Sequence, residues 1–451
     1  MIGGVGVVVL VGRPNVGKSA LFNRVVGAQR AIVDDVPGVT RDRLVAVASH
    51  RGRRFLCIDT GGFHAEPERA GALAARVRDT ALAAVEDADV IVCVVDGQTG
   101  ALPDDTALIR LLARTGKPLV VAVNKLDVPS QDLQAADFYG AGTDEVVGVS
   151  AAHRRGLDQL LDLVTAKLPE APAEPPDAAG ALRVALVGRP NVGKSSLLNR
   201  LAGEPRALVS PEPGTTRDVV DTRLTIEGRP YVLLDTAGIR RRGRITDRIE
   251  RHGAVRALAA LERADVVLLV LDATEGMTDQ DARLAGRALE AGRGVLLVAN
   301  KWDLVPEAAR AALRRRGALA GSHQGLADLP VVAVSAVTGE GMGQLFQALW
   351  RVERSYDRTF QTAALNRALH DAAREHEPAS ARGRAVRLFY ATQTGRRPPE
   401  VTLFVNEPAA VSAAYRRYLA NRLARVFGLS GVAVRIVCRR RRPERGRQPR
   451  R

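Results

Sequence analysis

The chain has 451 residues, about three times a typical domain, and 46% of them are hydrophobic, which excludes a disordered tail protein and a disulfide mini-scaffold. Its three cysteines, Cys57, Cys93 and Cys438, lie far apart without metal-ligand or Cys-x-x-Cys spacing, and no uncharged apolar run reaches about 18 residues, so no disulfide framework, zinc site or spanning helix is expected. The net charge of +16 is concentrated at one end: residues 352–451 hold 22 arginines, no lysine and 8 acidic residues, leaving only +2 for the rest.

The chain opens on an apolar run, Met1–Val11, with no basic start and no cleavage site. It reads as a strand, Val5–Val11, rather than a signal peptide, and a cytoplasmic protein is expected. Short β-branched runs at Phe55–Ile58, Val90–Val95, Leu119–Val123 and Glu145–Val149 have the pattern of strands buried on both faces of a parallel sheet. Helical patterns at Ser19–Val26, Ala70–Val85 and Thr106–Thr115 lie between them. Pro169–Gly180, dense in proline, reads as a semi-extended tether. Strands at Val184–Val187, Tyr231–Leu234, Val266–Leu271, Val295–Ala299 and Val331–Val334 then repeat the series.

A different rhythm closes the chain: a helix at Thr362–Arg374, strands at Val386–Ala391 and Val401–Asn406, a helix at Ser412–Phe427 and a strand at Val432–Cys438. The expected fold is α/β, with two doubly wound, mostly parallel sheets followed by a small α+β domain. The divisions fall at 1–168, a linker 169–181, 182–352, 353–438 and a basic tail 439–451, expected to be disordered. The basic end points to a polyanionic partner, nucleic acid before anionic membrane.

The two long segments are copies of one another. Gly-Arg-Pro-Asn-Val-Gly-Lys-Ser stands at Gly12–Ser19 and again at Gly188–Ser195, an offset of 176. Three more matches keep that offset: Pro37–Asp42 with Pro213–Asp218, Asp59–Gly62 with Asp235–Gly238, and Asn124–Asp127 with Asn300–Asp303. A fifth pair, Ser150-Ala151 and Ser335-Ala336, is offset by 185, so Pro306–Pro330 holds nine extra residues.

Each string has a chemistry. Gly12, Arg13, Pro14, Asn15, Val16, Gly17, Lys18 and Ser19, and their counterparts Gly188, Arg189, Pro190, Asn191, Val192, Gly193, Lys194 and Ser195, follow a buried strand and open a helix, the context of a phosphate cradle. Lys18 and Lys194 neutralise phosphate there, and Ser19 and Ser195 ligate Mg²⁺. Asp59 and Asp235 are placed to hold the same ion through water. In the segments Asp59, Thr60, Gly61, Gly62, Phe63 and Asp235, Thr236, Ala237, Gly238, Ile239, the glycines Gly62 and Gly238 offer a backbone N–H to a γ-phosphate. Thr40 and Thr216, in loops after the first helix of each copy, complete the Mg²⁺ shell only when a third phosphate is present, which makes those loops the candidate switches.

Asn124, Lys125, Leu126, Asp127 and Asn300, Lys301, Trp302, Asp303 set the base. A carboxylate at Asp127 or Asp303 accepts from N1–H and the exocyclic amine of guanine, a donor pair adenine lacks. Asn124 and Asn300 buttress the loop, Lys125 and Lys301 lie against the base, and the Ala151 and Ala336 backbones beside Ser150 and Ser335 reach O6.

With Phe389-Tyr390-Ala391-Thr392-Gln393, Pro398-Pro399, Leu403-Phe404-Val405-Asn406 and Tyr415-Arg416-Arg417-Tyr418-Leu419 in the last domain, the chain resembles the double-GTPase family Der, also called EngA, over nearly its whole length. The resemblance implies GTP hydrolysis coupled to assembly of the large ribosomal subunit and its rRNA, a KH-like C-terminal fold, a monomer, and neither membrane nor DNA as partner. It implies catalytic roles for Lys18, Thr40, Gly62, Lys194, Thr216 and Gly238. The glutamine that orients water in Ras-like enzymes is replaced by Phe63 and Ile239. The resemblance favours another route, K⁺ bound with help from Asn15 and Asn191, beside Mg²⁺; a GTP-sensing RNA-binding protein with negligible hydrolysis is the alternative. A tRNA-modifying or membrane-recruited G protein is disfavoured, since neither a catalytic cysteine pattern nor an amphipathic basic helix accompanies the motifs.

Two further features are specific to this chain. Gly428-Leu429-Ser430-Gly431 follows the last helix instead of lying between helices, so it reads as a helix-ending turn and not as the strand clamp of RNA-binding KH domains. Arg240–Arg244 lies in the second copy's switch region, whereas the first copy has Phe63–Pro67 in its own, so the two switch regions are not expected to serve the same contact.

Overall fold

A computed structural model describes residues 5–27, 44–60, 82, 85–86, 88–170, 181–204, 207–209, 221–234, 257–315, 317–320, 323, 326–378 and 386–441. The chain forms two compact units. One is built on a six-stranded sheet, the other on a seven-stranded and a three-stranded sheet.

In the first unit β1 (Gly6–Val11), β4 (Val90–Asp96) and β5 (Leu119–Asn124) are continuous apolar runs and are buried along nearly their whole length. Such strands tolerate no polar face because helices cover both sides of a parallel sheet. The sheet order is β2-β3-β1-β4-β5-β6, with β2 (Leu44–His50), β3 (Arg53–Asp59) and β6 (Val146–Gly148) completing it. Chain order reverses on either side of β1, so the crevice at its carboxyl end is the topological switch point where α/β folds bind ligands. Helices Lys18–Val26 and Leu157–Lys167 bury Leu21, Phe22, Leu160 and Val164 against Leu10, Phe55 and Val92.

The second unit repeats the plan: β7 (Leu182–Val187), β8 (Ala207–Val209), β9 (Thr222–Ile226), β10 (Arg229–Leu234), β11 (Val266–Asp272), β12 (Gly294–Asn300) and β13 (Val331–Ala333) lie in the order β13-β12-β11-β7-β10-β9-β8. Helix Met342–Tyr356 packs Leu345, Phe346, Leu349 and Val352 on it. The division expected between 352 and 353 lies inside that helix.

The third sheet comprises β14 (Leu388–Gly395), β15 (Glu400–Val405) and β16 (Arg435–Arg440), with β14 antiparallel and β16 parallel to the central β15. Helices Thr362–Glu375 and Ala413–Val426 cover one face, packing Leu365, Leu369, Leu419 and Leu423 on Ala391, Val401 and Leu403.

Several expected bounds shift. The last strand continues through Arg440, because main-chain pairing with β15 carries it past the apolar run, so the expected disordered tail does not begin at Arg439. The remainder of that tail, 442–451, and most of the expected helix Ala70–Val85 lie outside the described residues, as do 171–180 of the linker. Strand Val386–Ala391 runs instead at Leu388–Gly395, and helix Thr106–Thr115 at Pro103–Ala113, where Pro103 supplies a ready-made first turn. The antiparallel strands β2 and β9 were not expected. Partly exposed and polar residues interrupt their buried ones, so they lack the continuous apolar run of the parallel strands, and the hairpin turns Arg51-Gly52 and Glu227-Gly228, all at positive φ, set their pairing. Cys57 and Cys93 are fully buried, and burial pushes both thiols up, Cys93 to about 12, in keeping with inert packing roles. Among the described residues no helix is long and apolar enough to cross a membrane.

Gly428–Gly431 is a helix-ending turn, and it also docks the third sheet's domain on the second sheet. Leu429 N–H donates to Ala424 O at 2.8 Å and Gly428 N–H to Arg425 O at 3.2 Å, closing the helix Ala413–Val426. Val295 N–H of β12 donates to Gly431 O at 2.6 Å, and Ser430 N–H to Ser355 Oγ at 3.0 Å. Gly431 has φ +68°, and a Cβ there would lie 2.2 Å from Val295 O. Gly431→Ala is therefore expected to destabilise this unit by about 1–3 kcal/mol. Urea unfolding followed by the fluorescence of Trp302 and Trp350 measures it; an unchanged midpoint contradicts the docking role.

Candidate functional site

Each cradle begins where β1 or β7 ends. Helices Lys18–Val26 and Lys194–Gly203 start from glycines, Gly17 at φ 90° and Gly193 at φ 92°, with no side-chain cap and no acidic residue in the first turn. Helix Asp279–Glu290, by contrast, has Thr278 as its cap and Asp279 and Asp281 in the first turn. The two cradle helices thus leave their amide groups and positive dipole ends for an external anion.

Lys18 curls back over the loop, donating from Nζ to Gly12 O at 2.9 Å and Arg13 O at 2.6 Å; Lys194 does the same to Gly188 O at 2.8 Å and Arg189 O at 2.5 Å. Asn15 and Asn191, at φ 66° and 62°, turn the loop between Pro14 and Val16, and between Pro190 and Val192. Val16 and Val192 are buried and anchor it. Ser19 Oγ donates to Asp59 Oδ2 at 2.7 Å, bringing a hydroxyl and a nearly buried carboxylate together beside the Lys18 helix turn. Thr60 Oγ1 fixes the end of β3 by donating to Leu10 O at 2.8 Å. Ser195 occupies the position of Ser19 in the second helix.

The base-setting asparagines hold three loops at once. Asn124 Nδ2 donates to Val16 O at 2.9 Å while its Oδ1 accepts from Ala151 N at 3.0 Å. Asn300 makes the same two bonds, 2.9 Å to Val192 O and 3.0 Å from Ala336 N. A Cβ on Gly17 would lie 2.3 Å from Asn124 Nδ2, and one on Gly193 2.2 Å from Asn300 Nδ2, so these two positions admit glycine alone. Lys125 and Lys301, at φ 68° and 62°, reach Asp96 Oδ2 and Asp272 Oδ2, each at 2.6 Å. Burial pushes the Asp272 carboxyl up, but the bonds from Lys301 and Thr274 outweigh it and hold it below the usual range. Leu126 and Trp302 are buried in the core, so they pack under the loop instead of facing a ligand.

The specificity carboxylates differ between copies. Asp127 Oδ1 accepts from Ser150 Oγ at 2.7 Å, whereas Asp303 Oδ1 is buried and has no hydrogen-bond partner among the described residues. Ser335 Oγ accepts from Thr338 N at 3.1 Å, as Ser150 Oγ does from His153 N at 3.1 Å. Gly61, Gly62, Phe63, Thr40, Thr216, Asp235, Thr236, Ala237, Gly238 and Ile239, with Arg240–Arg244, lie outside the described residues.

The partners of Arg13 and Arg189, and the braces Arg24 and Arg200, lie outside the motifs. Arg13 forms a two-pronged pair with the fully buried Asp105, Nε to Oδ1 at 2.6 Å and Nη2 to Oδ2 at 2.8 Å, and that bond raises the guanidinium further above its ordinary value. Arg189 spans Asp281 at 3.1 Å and Glu275 at 2.7 Å. Arg24 Nε donates to Ala151 O at 2.7 Å and Arg200 Nε to Ala336 O at 3.1 Å, bracing the fifth motif. The signal was present: Asp96 and Asp272, Asp105 and Asp281, and Arg24 and Arg200 all keep the offset of 176.

Lys18 is 7% exposed, and burial holds its ammonium below the ordinary lysine value, with Asp59 opposing the shift. A bound polyphosphate raises that value again, so at alkaline pH binding takes up a proton, and affinity falls as pH rises through the depressed free-state value. Calorimetric titration of the Lys194→Ala chain in two buffers of different ionisation enthalpy reads the uptake; equal apparent enthalpies at every alkaline pH contradict it.

Comparison with known proteins agrees in extent and order. The family described as 50S ribosome-binding GTPase matches residues 7–125 and again 183–301. The KH-domain-like family of EngA bacterial GTPase enzymes, C-terminal, matches 359–439. GTPase Der of Desulforudis audaxviator is 47% identical over 96% of this chain and 98% of its own length, and GTPase Der of Syntrophotalea carbinolica 44% identical over 95% and 98%. Among solved structures, Era in complex with MgGDPNP and a 16S ribosomal RNA segment is 23% identical, covering 58% of this chain and 93% of that one with a TM-score of 0.30.

Proposed function

The chain belongs to the Der family of GTPases, and from that premise we propose that both cradles bind and hydrolyse GTP and that their nucleotide state governs attachment to the large ribosomal subunit during its assembly. One observation carries this reading. An uncapped helix N-terminus, a lysine folded over the loop and a guanine-selecting carboxylate are tied together by one asparagine, twice in the same chain.

The orphaned Asp303 Oδ1 fits the guanine reading, because a buried acceptor without a donor costs about 1–3 kcal/mol that a base N–H recovers. In the first copy Ser150 Oγ holds Asp127 Oδ1, and the carboxylate's remaining acceptor sites serve the base N–H groups.

The donor set also fits Mg²⁺. Ser19 Oγ and Asp59 Oδ2 are hard oxygen ligands held 2.7 Å apart at the phosphate end of the cradle. Ser19, Asp59 and Thr40 would hold the ion in the first copy and Ser195, Asp235 and Thr216 in the second, where it would supply charge neutralisation for the phosphates. The chain's own groups do the remaining work. The helix amides and Lys18 or Lys194 orient the β- and γ-phosphates, the Gly62 and Gly238 amides meet the transferred group, and the asparagine ties keep base and phosphate in register. Phe63 and Ile239 stand where a glutamine would orient water, so turnover rests on positioning and electrostatics, with Asn15 and Asn191 proposed to help seat K⁺ beside the phosphates. The divisions at 1–168, 182–352 and 353–438, a cytoplasmic setting and a monomeric state belong to the same reading.

Phosphate release is expected to be faster in K⁺ than in Na⁺ buffer, and Lys18→Ala and Lys194→Ala are each expected to cut turnover at their own site by about 10²-fold or more. Equal rates in the two buffers reject the K⁺ role; unchanged release in both lysine variants rejects hydrolysis at these cradles. Sedimentation with large ribosomal subunits in GDP, GTP and a non-hydrolysable analogue tests the switch. Recovery independent of nucleotide contradicts it.

A further inference from the structure

The one Gly-x-x-Gly turn of the third sheet's domain is committed to β12, so any recognition of nucleic acid by this domain must use another surface. The sheet face opposite the two helices offers one. Ala391, Leu403 and Val405 point into the core, so strand alternation sends Tyr390 and Phe404 to the other side, and the register sets Tyr390 beside Phe404 and Phe404 beside Arg439. The two rings stack with centroids 4.4 Å apart and planes 17° off parallel. Tyr390 is 44% exposed, and Thr402, the next residue inward on this face of β15, is buried, which confines the open aromatic area to one end of the sheet. Two arginines flank that end. Arg439 is exposed beside Phe404, and Arg441, whose N–H extends the pairing to Val405 O, sets its guanidinium 5.2 Å from the centre of the Phe389 ring.

An exposed tyrosine contributes little to the core, yet here Tyr390 stacks on the half-buried Phe404 at an end of the sheet bordered by cations. We propose that this corner is a stacking platform for single-stranded RNA: one nucleobase continues the Phe404–Tyr390 stack on the outer face of Tyr390, and Arg439 and Arg441 meet the adjoining phosphates. Stacking needs an unpaired base, since ring faces inside a duplex are already covered. The surplus of arginine over acid in residues 352–451 selects a polyanion over an apolar or basic partner. The inference rests on the reading that this protein works on ribosomal RNA and supplies the chemistry by which part of that RNA is held.

The test uses the full chain in GDP with a ten-nucleotide oligouridylate carrying one 2-aminopurine, and an abasic ribose-phosphate strand of equal length. Wild type and Tyr390→Phe are expected to quench the 2-aminopurine and to favour the base-bearing strand; Tyr390→Leu is expected to lose the quench and bind that strand about 5- to 150-fold more weakly. All three are expected to bind the abasic strand alike. Wild type that binds both strands equally, or Tyr390→Leu that matches wild type, overturns the platform. Sedimentation with large subunits separates the two readings. Wild type that pellets with subunits but shows no base preference sinks the platform alone, whereas base preference without any subunit binding sinks the ribosomal reading alone.

Discussion

Everything at the two cradles depends on a side-chain amide that replaces a missing main-chain connection. Asn124 and Asn300 each join the phosphate loop, the base loop and the fifth motif through one donated and one accepted bond, and both residues are almost fully buried. Two such bonds contribute about 1 kcal/mol each, while losing the amide strands buried backbone groups at about 1–3 kcal/mol apiece. That imbalance explains the glycine before each lysine. A single methyl at Gly17 or Gly193 would occupy the place of the amide nitrogen.

Around that tie the electrostatics are arranged for a ligand of opposite sign. Thr278 and Ser412 complete the N-termini of their helices with a side-chain bond, whereas the two cradle helices start from glycine and carry no acidic residue in the first turn. Positive potential is kept from collapsing inward by giving neighbouring cations their own partners: Arg13 is held by Asp105, Arg189 by Asp281 and Glu275, Lys125 by Asp96 and Lys301 by Asp272. Lys18 and Lys194 bond the carbonyls of their own loops, which holds both ammonium groups over the cradle. Duplication has preserved these partners while relaxing others, for Asp127 is bonded to Ser150 whereas Asp303 keeps an oxygen without a partner among the described residues.

The third sheet's domain shows how one short string acquires meaning from its surroundings. Gly428 and Gly431 end a helix, as their sequence suggests, but Gly431 also lets β12 approach so closely that Val295 bonds its carbonyl. A turn spent on packing cannot clamp a strand. Tyr390 and Arg439, both exposed, stand on the other face of the sheet, set there by strand register.

Sequence by itself determined the duplicated α/β plan, the phosphate and base motifs and the small basic domain, because each is written in local terms: runs of β-branched residues that only a doubly covered strand can bury, and glycines whose spacing only a tight loop needs. Tertiary structure alone decided which charges meet. Arg13 and Asp105 lie 92 positions apart, and no periodicity within either segment announces the pair. It also decided the antiparallel edges β2 and β9, the extension of β16 through Arg440 and the docking use of Gly431, since main-chain pairing and close approach draw on geometry that side-chain pattern does not encode.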